Sequence, residues 1–103
     1  MTDVEMVIQQ IEGGKQLGKV FSFIRNGHTI WSSVGIQKWQ GIYKVYEDEI
    51  DEKSMDAENY IRDEIKKFDN LSDALKYINE NTQTNLLDLQ PCKGQKVFNP
   101  EFE

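Results

Sequence analysis

Two runs rich in aromatic and β-branched residues, Lys19–Arg25 (KVFSFIR) and His28–Ile36 (HTIWSSVGI), are separated only by Asn26-Gly27. Asn and Gly both tolerate the positive φ angles of a type I′ turn, whose twist matches paired strands, so the stretch predicts a β-hairpin. This feature constrains the fold most, because a hairpin in so short a chain needs further strands or helices to cover it. Gln37–Gln40 is expected to make the next turn and Gly41–Glu47 (GIYKVYE) a third strand, giving an antiparallel meander. Phe21, Phe23, Trp31, Tyr43 and Val45 are expected on one face and Val20, Ile24, Ile30, Val34 and Ile42 on the other, with both faces covered.

Helices are expected on either side of the meander. Thr2-Asp3-Val4-Glu5 has the form of a capping box, and Val4, Val7, Ile8 and Ile11 recur on one face until Gly13-Gly14 supplies a left-handed stop. Met6 points away from that face. Ala57, Tyr60, Ile61, Ile65 and Phe68 recur at helical spacing after the meander. Asn70 then caps a further helix lined by Leu71, Ala74, Leu75 and Ile78, with Asp73 in its first turn. A competing reading makes Arg62–Phe68 a fourth strand leading into the Leu71 helix. From Gln83 onward Pro91 and Gly94 break the chain, Leu86–Leu89 is open between short strand and turn, and Val97-Phe98 is placed to dock on the body. The expected class is therefore α+β: an N-terminal helix, a three-stranded antiparallel meander, two C-terminal helices and an irregular tail. At 103 residues this is one domain, since halves would be too small to bury adequate cores.

Charge is unevenly distributed. Of 18 acidic residues, nine fall between Glu47 and Glu64 against only Lys53 and Arg62, whereas the segment before carries a small basic excess. Such an asymmetry argues against direct nucleic-acid binding through a broad basic face and favours a basic protein partner. The opening MTDVEMVIQQIEGG has neither a basic start nor a long apolar run, which leads us to expect a cytoplasmic protein with no membrane partner. A single cysteine, Cys92, has no second thiol for a disulfide or a metal pair.

Few arrangements suggest chemistry. An EF-hand loop begun at Asp48 or Asp51 would need ligands at alternating positions and a central Gly, and both are missing, so no metal or other cofactor is expected. Gly13-Gly14-Lys15 with Gly18 lies between a helix and a strand, the reverse of the order a phosphate-binding loop requires. His28 is the only histidine and sits at a hairpin turn, and nothing around Ser32 and Ser33 resembles a nucleophile elbow. In a helix running from Asp56 to Phe68, Glu64 would fall inside the apolar arc, where a lone carboxylate is costly. It would then either lean out toward Lys67 or serve as a perturbed acid.

The functional expectation is a non-catalytic inhibitor or adaptor, of the kind represented by toxin-immunity proteins and phage-encoded inhibitors. It would present Glu47, Asp48, Glu49, Asp51, Glu52, Asp56 and Glu58 to a basic surface, with Trp31 and Trp39 as candidate aromatic anchors. The alternatives are a small-molecule or enzyme-like domain that uses Glu64 or His28, and a subunit of a larger complex.

Overall fold

The computed structural model describes residues 3–55, 57, 59–92 and 96–101. Helix α1 (Asp3–Glu12) leads into strands β1 (Leu17–Arg25), β2 (His28–Trp39) and β3 (Ile42–Asp51), then a 3-10 turn (Glu52–Ser54), β4 (Tyr60–Phe68), α2 (Leu71–Asn81), a second 3-10 turn (Leu86–Asp88) and a two-residue strand β5 (Gln90–Pro91). The five strands form one antiparallel sheet in the order β4-β3-β2-β1-β5.

The expected hairpin is present, with Asn26 at φ 53° and Gly27 at φ 80° and Arg25 paired to His28. A second tight turn follows at Gln40-Gly41, φ 52° and 82°, so β2 runs on to Trp39 and the turn expected at Gln37–Gln40 moves to the chain's next glycine. Strand β3 likewise continues past Glu47 to Asp51, through the first half of the acidic block.

The largest correction concerns Tyr60–Phe68. The three-stranded meander with two C-terminal helices gives way to a five-stranded sheet with a single C-terminal helix, and the competing fourth strand is the arrangement found. A helix here would have buried Glu64. As an edge strand, the segment instead sets Phe68 opposite Tyr43 and lets Arg62 reach Glu47, so an aromatic side chain and a cation both meet their complements on β3.

Both helices lie on one face. Ile11 of α1 and Ala74 and Ile78 of α2 close over Leu17, Val34, Ile36, Tyr43 and Val45, with Leu89 completing a core whose members are almost wholly buried. Asn70 caps α2 through Oδ1, which accepts the amide of Asp73 at 2.8 Å. The candidate cap at Thr2 lies outside the described residues.

The opposite face is covered differently. Gly18 and Gly35 face each other across β1 and β2, and Tyr46 continues the row on β3. The C-terminal tail lies on this flat strip. A Cβ at Gly18 would stand 2.6 Å from Val97 Cγ2, and one at Gly35 would stand 3.0 Å from the Phe98 ring, which stacks on Tyr46 at 5.5 Å. Buried Gln16 holds the tail in place: its Oε1 accepts the Val97 amide at 2.7 Å, and its Nε2 donates to the Phe98 carbonyl and to Gln37 Oε1, both at 2.9 Å. Lys44 Nζ donates to the Pro100 carbonyl at 2.6 Å. The expected docking of Val97-Phe98 thus takes place on the sheet face remote from the helices.

Face assignments are corrected with it. Phe21 pairs with Ser32 and Ser22 with Trp31, so Trp31 lies opposite Phe21, Tyr43 and Val45 in the sheet, while Ile30 and Val34 join the helix side.

Candidate binding surface on the outer face

Because side chains alternate along a strand, β3 divides the acidic block between two environments. Glu47, Glu49 and Asp51 point to the helix side, where each meets a base. Glu49, 5% exposed, receives both arms of the Arg25 guanidinium at 3.0 and 3.1 Å. Asp51 Oδ2 lies 3.0 Å from His28 Nδ1. Glu47, 2% exposed, accepts from Arg62 Nη2 and from the Tyr77 hydroxyl of α2 through one oxygen. The surface expected from Glu47 and Glu49 is therefore corrected: these carboxylates are interior and already neutralised.

Glu64 lies directly across from Glu47 on the same face. Its oxygens are 3.1 Å from Arg62 Nη2 and 3.4 Å from Lys66 Nζ. Burial raises the Glu47 pKa, against the hydrogen bond from Tyr77. Glu64 is held below the ordinary carboxylate range by its contact with Glu47 and by Arg62. The partner expected for Glu64, Lys67, faces the other way, and Arg62 takes the role. A carboxylate between two cations is a poor proton donor at neutral pH, which removes the support for Glu64 as an acid catalyst.

Asp48 points to the outer face and has no such base. It is 9% exposed, and its Oδ1 accepts the Ser33 amide at 2.8 Å. Its other oxygen lies 2.9 Å from the Tyr46 hydroxyl, which is also 3.1 Å from Asp63 Oδ1. Tyr46 has one proton for two carboxylates. Among the described residues no Lys or Arg forms an ion pair with Asp48 or Asp63. Burial raises the Asp48 pKa, and burial together with Asp48 raises that of Tyr46, as expected where negative charge lacks a counter-ion. Exposed Asp63 borders a cleft of about 440 Å³ that Tyr46, Ile65, Val97, Phe98 and Asn99 also line.

The tail leaves the far half of the outer face open. Trp31 sits there between Ser22 and Ile50, half-buried, with its Nε1 donating to Glu52 at 3.4 Å. Val20 and Ile24 are 62% and 69% exposed. Trp39, on the same strand and side, is eight residues away, about 26 Å along the strand. It borders a separate cleft under Lys96 and Pro100, so the two tryptophans do not form one patch. Asp56 and Glu58 lie outside the described residues.

Compared with family models, with curated proteins and with solved structures, the chain matches none. Among the described residues there is no group of three side chains suited to hold a metal, and no helix is long and apolar enough to cross a membrane. Sequence reasoning missed Arg25, Arg62 and Tyr77 as internal partners of the acids, and Tyr46 with Asp63 as the site without one. Period-2 alternation carried through Asp51 would have separated the two sets.

Proposed function

We propose that the chain is a non-catalytic protein-binding domain, an inhibitor or adaptor, that engages a basic protein surface through its outer face. The observation that carries this reading is the pair Asp48 and Asp63, which share one tyrosine proton and have no described base, beside half-buried Trp31 and exposed Val20 and Ile24. An aromatic anchor with an apolar surround and an acidic border is the chemistry of an interface hot spot with a cationic complement. A partner's lysine or arginine placed at Asp63 would supply the missing donor.

This reading keeps the basic partner expected from the acidic block and changes the residues that meet it. Affinity capture from the native host at two salt concentrations, with mass spectrometry, tests it. Trp31→Ala and Asp63→Asn are each expected to lose the captured partner, and raised salt to weaken it, with circular dichroism unchanged. Capture that is indifferent to both substitutions and to salt overturns the reading.

A further inference from the structure

The sheet has two edges of different character. At the β4 edge, Arg62, Asp63, Glu64, Lys66 and Lys67 fall within nine residues, the dense charge by which natural sheets discourage strand addition. At the other edge, β5 pairs only with Leu17 and Gly18. From Lys19 to Arg25, β1 pairs with β2 on one side and has no strand on the other among the described residues. Five consecutive uncharged residues, Val20–Ile24, lie between the two cations.

Backbone geometry fixes which groups are unused. In a two-residue hairpin the closing pair, here Arg25 and His28, exchanges both hydrogen bonds, and the ladder alternates from there. Phe23, Phe21 and Lys19 therefore bond to β2, and the N–H and C=O groups of Val20, Ser22 and Ile24 point away from the sheet. Three donors and three acceptors stand in register over about 13 Å of edge.

The flanking charges select the occupant. If a second copy docked antiparallel about Ser22, Lys19 would face Arg25 of the other copy, a like-charge pairing that opposes self-association. An extended segment with carboxylates at those two places would find complements instead. Lys19 Nζ lies over the Phe21 ring at 5.8 Å, and Arg25, though paired with Glu49, remains 39% exposed with further donors to offer.

We infer that the Lys19–Arg25 edge of β1 accepts an extended peptide segment as an added antiparallel strand, apolar and β-branched in its middle and acidic at both ends. The inference is independent of the outer-face reading, since it rests on backbone groups and on Lys19 and Arg25 rather than on Trp31 and Asp63.

The test uses the full chain, 15N-labelled, with two synthetic heptapeptides, Glu-Thr-Val-Thr-Val-Thr-Glu and the same sequence with lysine at both ends. The acid-ended peptide is expected to slow amide exchange at Val20, Ser22 and Ile24 by about tenfold or more at saturation, and the lysine-ended one to leave it unchanged. Ser22→Pro removes one outward N–H and leaves the bonds to β2 intact, so it is expected to weaken acid-ended binding about tenfold, with the thermal transition retained. Lys19→Glu, which leaves the backbone alone, is expected to weaken the acid-ended peptide and favour the lysine-ended one. Three results each overturn the inference: no protection with the acid-ended peptide, equal protection by both peptides, or protection that rises with protein concentration in the absence of peptide. The outer-face variants Trp31→Ala and Asp63→Asn are expected to leave peptide binding unaltered.

Discussion

Replacing Arg62 with methionine removes the cation from buried Glu47. Arg62 reaches from β4 to Glu47, Glu64 and Tyr77 and donates to the Asn81 carbonyl at the end of α2. Methionine keeps an aliphatic stem of similar length, so the chief change is that Glu47, 2% exposed, loses its cation. Removing one member of a buried pair costs about 3–5 kcal/mol, and because Arg62 itself is 29% exposed the lower end applies, about 3 kcal/mol. For a domain of this size that corresponds to a fall in Tm of roughly 12 °C or more. Protonation of Glu47 relieves the penalty, so the loss should shrink as pH falls through the raised pKa of this group. The assay is urea denaturation followed by circular dichroism, for the wild type and Arg62→Met, at pH 7 and pH 4. A loss below about 1 kcal/mol at pH 7, the range of ordinary surface pairs, would refute the burial argument. An equal loss at both pH values would show that Arg62 acts through packing and not through charge.

Three further outcomes follow from the same geometry. The folded-state pKa of Asp48 is raised, so the stability it contributes is complete below the ordinary carboxylate range and is lost as pH rises through the raised value; Asp48→Asn should therefore stabilise the protein by about 1 kcal/mol at pH 7, with the gap closing at pH 4 in the same denaturation assay. Gly18→Ala, whose Cβ would meet Val97 Cγ2 at 2.6 Å and the Val34 carbonyl at 3.0 Å, should cost about 1–3 kcal/mol, and amide exchange at Val97 and Phe98 should accelerate as the tail lifts. Ile78→Ala, at a fully buried position on α2, should cost about 2–5 kcal/mol by chemical denaturation.

Local chemistry was legible where one dipeptide decides the geometry. Asn26-Gly27 announces the first hairpin, whereas Gln40 gives no sign that it will adopt φ 52°, so the turn expected over Gln37–Gln40 falls two residues later, at Trp39–Ile42. Tyr60, Ile61, Ile65 and Phe68 match a helical repeat by coincidence of spacing. What decides for a strand is that β3 offers an edge where Phe68 pairs with Tyr43 and Arg62 reaches Glu47, a tertiary fact absent from any window of sequence. The acidic block was legible as a concentration of charge, but its meaning depended on strand parity. Once β3 is seen to run through it, alternate residues have opposite surroundings, and the internal bases come from Arg25, His28 and Arg62, as far as 24 residues away along the chain. The helix faces expected at Ile11, Ala74 and Ile78 are the buried ones, whereas Val4 is 41% exposed.

The glycine strip beneath Val97 and Phe98 also bears on how the molecule is made. Strands β1 to β4 are joined to their sequence neighbours and bond to one another without help from residues 96–101. During translation the four-stranded sheet can therefore take shape while its cover has yet to emerge. Until then Gly18, Gly35 and Tyr46 present a bare floor to whatever surrounds the ribosome, and arrival of Val97 and Phe98 covers it.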